Sequence, residues 1–230
     1  MQTIARTPHA RAHRAFHGRS AAGLREGHRA RAAAPPTEPR LSVRVLDMDR
    51  EGPLIMGLRE HAPIDAEHDL DPGAQALERQ KDRLGMVMAI WRDETLIATI
   101  RFIPCGHGVT LAEKAWAGET RSKAAFGASS WEVGRLIVAP EHRSMATLQA
   151  CVALSVQELL KTNDVQYLHA SCSPLLARLY RCFGFVTDKV FQSGSGMQHV
   201  LIHALVADMA RVLGFAPAQR VRRRSEMVTA

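Results

Sequence analysis

The sequence lacks a long apolar segment. No apolar run approaches the ~18 residues that a helix needs to cross a bilayer, which excludes a membrane-spanning helix. The N-terminus also lacks the apolar centre of a secretory signal, because its first residues continue into a stretch rich in arginine, histidine and alanine. We therefore expect a cytoplasmic protein. Hydrophobic residues at 46% and charged residues at 23% fit a soluble globular chain.

Cysteine is scarce and is not arranged in pairs. The four cysteines, Cys105, Cys151, Cys172 and Cys182, form no CxxC motif, and three of them stand among apolar residues. We interpret them as reduced structural thiols without a metal or disulfide role. The eleven histidines form no spaced cluster, and we predict no metal site.

Acidic residues are almost missing from the first forty positions, which hold only two glutamates among many arginines. A proline-rich stretch at Pro35–Pro39 reads as a linker that follows this basic arm. We therefore predict an arm at 1–40, a folded domain at 41–215 and a basic tail at 216–230. The ends carry much of the net charge of +7 and can attract nucleic acid, anionic lipid or an acidic protein. The middle of the chain is close to neutral, so we do not expect a nucleic-acid-binding fold.

Strand and helix patterns alternate along the domain. The polar segment Arg92–Thr95 predicts a hairpin turn, and Thr147–Leu160 has the apolar spacing of a helix with one broad buried face. Pro174 opens a further helix that Gly184 ends. Helices joined by loops are expected over Gly52–Leu84. The predicted strands are Leu41–Leu46, Gly85–Trp91, Leu96–Ile103, Ser130–Val138, Val165–Ala170, Phe185–Phe191 and Met197–Ala204. With no internal repeat, this order predicts a single α/β or α+β domain.

Two segments resemble a known family. Trp131–Arg143 looks like the central strand and following turn of GNAT acyltransferases, and Leu179–Phe185 is similar to the helix of that fold that ends at Gly-Phe. The set more narrowly resembles the branch that contains acyl-homoserine lactone (autoinducer) synthases and long-chain N-acyl amino acid synthases. The likeness covers residues 54–204.

The branch has an acidic loop, an arginine at the end of a hairpin strand, and a Glu-x-x-Arg on the next strand. Here these are Asp69 and Asp71, then Arg101, then Glu132 with Arg135. The resemblance implies a mixed central sheet with splayed central strands and flanking helices, and an acyl thioester bound in the splay. It implies no permanently bound cofactor, since acyl-CoA or an acyl carrier protein thioester is the co-substrate.

The donor segment departs from the GNAT pattern. Members that use coenzyme A carry a glycine-rich turn after the arginine, whose backbone amides hold the pyrophosphate, whereas Arg143–Gln149 contains no glycine. The departure favours an acyl carrier protein as donor. The resemblance carries donor binding over to Arg143, Ser144 and Thr147.

Glu132 is the candidate general base for deprotonating an amine, directly or through water, because an apolar strand would raise its pKa toward neutrality. The structural alternative is that the Glu132 side chain lies on a solvated face of the strand or is simply paired with an arginine. The candidate partners of the Arg101 guanidinium are a substrate carboxylate and Glu132; the structural alternative is an ion pair that only stabilises the fold. Arg135 lies three residues from Glu132, so regular alternation predicts opposite faces and an architectural role for one of them, for which Arg135 is our choice.

The remaining candidates come from the resemblance. Asp69 and Asp71 are candidates for binding the acceptor's ammonium, with Arg135 as a further substrate-binding residue; the alternative for the two aspartates is a loop that caps a helix at Pro72. Tyr180 occupies the position of a tyrosine that protonates the leaving thiolate, or else is a core aromatic.

The sequence as a whole favours an N-acyltransferase that moves a fatty or smaller acyl group from a thioester to a small-molecule amine. We expect direct attack without a covalent enzyme intermediate, because no cysteine has a base near it in sequence. An acidic carrier protein is the expected partner for the basic ends. The alternative is a non-catalytic GNAT-like module that binds a ligand or nucleic acid.

Overall fold

The computed structural model describes residues 40–60, 62, 65–115 and 127–216 of the chain. Apart from Arg40 and Ala216, the basic arm and tail expected from the sequence lie outside these residues. The described chain forms one seven-stranded mixed sheet in the order β1-β2-β3-β4-β5-β7-β6, with helices on both faces. Only β4 and β5 pair in parallel; the other neighbouring strands are antiparallel. The predicted α/β architecture with a mixed sheet is confirmed.

All seven predicted strands are present, each shifted by at most two residues. The strands are β1 Leu41–Val45, β2 Met86–Arg92, β3 Thr95–Pro104, β4 Ser130–Val138, β5 Tyr167–Cys172, β6 Val186–Gln192 and β7 Gln198–Leu205. The helices are α1 Met48–Glu51, α2 Met56–Glu60, α3 Asp65–Leu70, α4 Ala74–Leu84, α5 Leu111–Ala115, α6 Met145–Leu160, α7 Pro174–Tyr180 and α8 Val206–Leu213. Helices α5 and α8 were not predicted. None of the helices described is long and apolar enough to span a membrane.

The two faces of the sheet bury different cores. On β2, Met88 and Ile90 point into the larger core, which α6 and α8 cover, while Val87 and Ala89 point to a smaller core near α1. This alternation follows from the two-residue period of a strand, and both sets are apolar because both faces are covered. For brevity we call the side of α6 to α8 the α6 face, and the side of α1 to α5 the α4 face.

Strand β4 contains a bulge that overturns one prediction. Between Thr99 and Arg101 of β3, the β4 partners run from Ile137 to Gly134, which leaves one extra residue on β4. Arg135 lies in this segment at φ 51°, a left-handed conformation that is uncommon outside glycine. The bulge breaks the alternation, so Glu132 and Arg135 both face α4, and the prediction of opposite faces was wrong.

Strands β4 and β5 pair over only three residues. The ladder joins Ser130, Trp131 and Glu132 to Tyr167, Leu168 and His169 respectively, and the remaining six residues of β4 have no partner in this β5 ladder. The splay implied by the family resemblance is therefore present.

Helix α6 begins beside this splay. Ser144 is its N-cap, and its hydroxyl accepts a hydrogen bond from the backbone N–H of Thr147.

Candidate functional site

A cavity of about 370 Å³ opens where β4 and β5 separate. Val133 and Leu136 of β4 line one side, and Leu168 and Ala170 of β5 line the other. Its remaining walls are mostly apolar residues of α6, α7 and the segments after them: Val152, Val156, Leu176, Phe183, Phe185 and Met209. An apolar cavity of this kind favours a hydrocarbon chain as its occupant.

The cavity passes through the sheet. Val152 belongs to the α6 face, whereas Ala62, Glu67 and Arg135, which also line it, lie on the α4 face. A second, more polar cavity of about 820 Å³ lies on the α4 face and shares Ala62 and Arg135 with the first. Arg135 therefore stands where an apolar passage meets a polar cavity, and its Nη1 is fixed there by a 3.0 Å hydrogen bond to the carbonyl of Ala62.

Glu132 lies one residue before the part of β4 that lines the apolar cavity. Its side chain is buried, and its Oε2 accepts a 2.6 Å hydrogen bond from the backbone N–H of Ala112 at the start of α5. Burial raises the pKa of Glu132 to about 7, against the opposing effects of that N–H and of the charges of Lys81 and Arg101. A carboxyl group with such a pKa exchanges a proton readily at neutral pH, as a general base must.

Arg101 is held by carboxylates of α4. Its guanidinium donates to both oxygens of Glu78, at 3.0 and 3.1 Å, and to Asp82 Oδ1 at 2.9 Å. Arg59 binds the same Asp82 through two bonds of 2.6 and 3.0 Å. Burial acts to lower the pKa of Arg101, but the opposite charges outweigh it and the pKa is raised. These hydrogen bonds correspond to the structural ion pair among the alternatives for Arg101, and none of them reaches Glu132.

Lys81 and Glu67 complete a buried cluster of charges around Glu132. Lys81 is fully buried, and its Nζ lies 3.8 Å from Glu67 Oε2, which is also 4.0 Å from Arg101. Glu67 in turn raises the pKa of Glu132 through like-charge repulsion, after burial has had the larger effect. The cluster contains four cations and four carboxyl groups: Arg59, Lys81, Arg101, Arg135, Glu67, Glu78, Asp82 and Glu132.

The two aspartates of the acidic loop make contacts of their own. Asp71 accepts from the Nζ of Lys114 at 2.5 Å and from the backbone N–H of Gly73, just before α4. Asp69 pairs with His199 of β7 at 2.5 Å. Hydrogen bonds from Ser193, Ser195 and His199 hold its pKa at about 2. Asp71 thus shapes the turn that precedes α4, and Asp69 links α3 to β7.

Tyr180 and Cys172 both line the apolar cavity. Burial raises the pKa of Tyr180 to about 12, so its hydroxyl keeps its proton at neutral pH and can donate a hydrogen bond into the cavity. Burial also raises the pKa of Cys172 to about 12, which keeps this thiol protonated and a poor nucleophile. Among the described residues, no group of three histidine, cysteine or acidic side chains is placed to hold a metal ion.

The donor-binding candidates lie at the start of α6. The Thr147 hydroxyl accepts from Nη2 of Arg92 at 3.0 Å, and Arg143 Nε donates to the carbonyl of Val138 at 2.9 Å. With Ser144 capping the N–H of Thr147, these side chains fix the turn between β4 and α6.

Sequence reasoning missed Glu67, Lys81, Glu78, Asp82 and Ser171. Glu67 and Ser171 line the apolar cavity, and the Oγ of Ser171 is buried without a hydrogen-bond partner among the described residues. The sequence did contain a signal for the α4 residues. Glu78, Lys81 and Asp82 stand at positions i, i+3 and i+4 and therefore share one helix face, but a charged face of this kind is usually exposed to solvent.

A family model described as N-acyl amino acid synthase FeeM matches residues 70–203. This range contains β2 to β7 up to His203, and with them Glu132, Arg135 and Tyr180. A search of curated protein sequences finds no significant match.

Solved structures share the fold at low sequence identity. The structure of FeeM, an N-acyl amino acid synthase from uncultured soil microbes, superposes with a TM-score of 0.52 at 15% identity, covering 75% of this chain and 94% of that one. The acyl-homoserine lactone synthase LasI superposes with a TM-score of 0.53 at 16% identity, covering 79% of this chain and 100% of that one. An aminoglycoside N(6')-acetyltransferase from Legionella pneumophila superposes with a TM-score of 0.51 at 11% identity, covering 76% of this chain and 98% of that one.

Proposed function

The chain belongs to the FeeM family of N-acyl amino acid synthases in the GNAT superfamily of acyltransferases, and we propose that it transfers a fatty acyl group from a thioester to the amine of an amino acid. The observation that carries the proposal is the apolar cavity, which crosses the splay between β4 and β5 and ends at Glu67 and Arg135 beside a polar cavity. An apolar passage suits the acyl chain of the donor, and the polar cavity suits a charged acceptor.

In this mechanism Glu132 receives one proton from the acceptor's ammonium group, through a water or through Glu67 at the cavity wall. The freed lone pair attacks the thioester carbonyl carbon and forms the C–N bond. The C–S bond then breaks, the sulfur keeps the electron pair, and Tyr180 gives it a proton while recovering one from the nitrogen. Cys172 takes no part because its thiol stays protonated.

Arg135 is the proposed contact for the acceptor's carboxylate. A guanidinium forms two parallel hydrogen bonds with a carboxylate, and the buried Nε of Arg135 has no hydrogen-bond partner among the described residues. Asp69 and Asp71 remain proposals for the ammonium, although their present partners are His199 and Lys114. Arg101 acts in this scheme by holding α4 and Lys81 in place.

The proposed donor is an acyl carrier protein, with acyl-CoA as the alternative. Support comes from the start of α6, where the glycine-free turn leaves side chains in the place of open backbone: Arg143 binds Val138, and Ser144 caps Thr147. Arg143, Ser144 and Thr147 are the residues that we propose to meet the donor's phosphate.

The test is mass spectrometry of lipid extracts from a host that expresses the wild-type chain, beside hosts with the Glu132→Gln variant and the empty vector. We expect N-acyl amino acids with the wild type alone, and their masses give both acyl length and acceptor. Purified protein is then assayed with hexadecanoyl carrier protein and hexadecanoyl-CoA against the common amino acids. Folded wild-type protein that forms no amide in either setting contradicts the proposal.

Replacing Ala170 by phenylalanine is expected to shift the product towards shorter acyl chains. Ala170 is buried and lines the apolar cavity, so a ring at this position takes the space of several methylenes. Each methylene that leaves the cavity forfeits about 0.8 kcal/mol, roughly a fourfold change in preference. The measurement is the chain-length distribution of the products, with Ala76→Phe on the exposed face of α4 as the matched control. An unchanged distribution in a folded variant contradicts the assignment of the cavity to the acyl chain.

Replacing Lys81 by methionine is expected to move the acid limb of the pH profile of kcat/KM to higher pH. Glu132 works as a base only when ionised, so activity in the wild type falls as the pH drops through about 7. The charge of Lys81 favours the ionised carboxylate, and its removal raises the pKa of Glu132 further. The exposed Lys161→Met is the control that should leave the limb in place. If the acid limb of the pH profile is unchanged in Lys81→Met, this result argues against Glu132 as the titrating base.

A further inference from the structure

Four side chains form a continuous row across the sheet from Glu132 to the edge strand. Glu132 of β4 is the register partner of His169 on β5, and His169 is the register partner of His203 on β7. Register partners in neighbouring strands place their side chains on the same face, with Cβ atoms about 5 Å apart. The row continues to Asp188 of the edge strand β6, whose Oδ2 shares a 2.7 Å hydrogen bond with Nδ1 of His203.

The first two members of the row are buried and the last two are partly exposed. Glu132 and His169 are buried, His169 completely, whereas the side chains of His203 and Asp188 are 23% and 18% exposed. The rings of His169 and His203 are 6.2 Å apart between centroids and tilted by 36°, a separation that suits a water-bridged contact. The row therefore joins a buried carboxyl group to solvent through groups that each gain and lose protons.

The proposed reaction needs such a connection. The acceptor enters as an ammonium ion and leaves as a neutral amide, and the leaving sulfur takes one of the nitrogen's protons. One further proton per turnover remains on Glu132, inside a site that the acyl chain itself fills. Glu132 must lose that proton before the next acceptor can be deprotonated.

We propose that His169, His203 and Asp188 form a proton relay that carries the proton from Glu132 to solvent at the β6 edge of the sheet. His169 accepts the proton on one ring nitrogen and releases a different proton from the other nitrogen to His203. Its imidazole is then neutral again, with its proton on the first nitrogen. Asp188 orients the His203 ring through the hydrogen bond at Nδ1, and the proton passes from His203 to solvent. The inference rests on the proposed function, since it concerns the proton which that reaction releases.

The competing explanation is packing. Tyr167 lies beside both rings, with centroids 6.4 Å from His169 and 6.3 Å from His203, so the row is also an aromatic cluster. A packing role predicts that a phenyl ring can replace an imidazole. A relay predicts that it cannot, because phenylalanine carries no exchangeable proton.

The experiment compares kcat of the wild type with His203→Phe and His203→Ala, using hexadecanoyl carrier protein and a mixture of the common amino acids. In dilute buffer we expect both variants to lose about a hundredfold in kcat with little change in KM, the lower end of the effect of a lost acid–base group. Added imidazole should restore His203→Ala, whose truncated side chain leaves room for it, and should not restore His203→Phe. Asp188→Asn should give a smaller loss, and the exposed His107→Ala none.

Two outcomes in folded variants decide against the relay. Wild-type kcat in folded His203→Phe, or a loss in His203→Ala that imidazole does not relieve, assigns the row to packing. If His203→Ala fails to fold, the phenylalanine variant alone carries the test, through its kcat and its solvent deuterium isotope effect. An inactive wild type would instead overturn the proposed function and the relay together, so the two failures are distinguishable.

Discussion

Glutamine at position 132 is expected to lower kcat by about a hundredfold or more, within the 10²–10⁴ range for loss of a general base. The amide cannot accept the ammonium proton, yet it can still accept the hydrogen bond from Ala112. Substrate binding should change little, so the loss falls on kcat and not on KM. The measurement is steady-state kinetics with either thioester. Activity within a few-fold of the wild type would transfer the role of base to Glu67, which Glu67→Gln would then reveal.

The same variant should be more stable than the wild type above pH 7. Burial raises the pKa of Glu132 from its ordinary 4.5 to about 7, so the folded state binds this proton more tightly than the unfolded state. The wild type therefore loses stability as the pH rises from 4.5 to about 7, by roughly 3 kcal/mol at most. Glutamine never ionises and avoids this loss. Urea denaturation on either side of that pH window measures the difference, which should vanish on the acid side.

Replacing Arg101 by methionine is expected to destabilise the fold by about 3–5 kcal/mol, the usual effect of removing one partner from a buried ion pair. Arg101 is 2% exposed and binds both Glu78 and Asp82. Its loss leaves the half-buried Glu78 on α4 with only the more distant Arg135, 3.7 Å away, as a partner. Chemical denaturation at neutral pH measures the loss.

Two further variants identify the cause of that loss. The double variant Arg101→Met with Glu78→Gln should recover part of the stability, because it no longer leaves a carboxylate unpaired. Arg101→Lys should lie between the wild type and Arg101→Met, since an ammonium keeps the charge but cannot bond two carboxylates in the same plane. If Arg101→Met is as stable as the wild type, the cluster does not hold α4 to the sheet.

The fold was accessible from the sequence because its strands are apolar and bounded by clear turn residues. Strand β4 was predicted at its observed bounds, and the Asp93–Glu94 turn of the first hairpin lies within the predicted segment. Helix α5 was missed because it follows a glycine-rich stretch and spans only five residues. Helix α8 was missed because its sequence continues directly from β7, and no N-cap side chain marks where the strand ends.

The site was only partly accessible. Glu132 stood out because a carboxylate in an apolar strand is rare, and its burial and raised pKa match the desolvation expected there, while its role as a base stays a prediction. The direction of Arg135 could not be read from periodicity, since a bulge with a positive φ at a non-glycine residue leaves no sequence signal. The partners of Arg101 come from α4, about twenty positions earlier, and only tertiary packing brings them together.

The balance of charges in the buried cluster has a consequence for how this family can diverge. Four cations face four carboxyl groups there, and a buried charge that loses its counterpart is strongly destabilising. A lineage that loses Glu78 must therefore change Arg101 or Arg135 as well, or pass through poorly folded intermediates. The ion-paired positions of the cluster, which do not include Glu132, are expected to co-vary among relatives and to drift slowly even where the acyl chain and the acceptor differ.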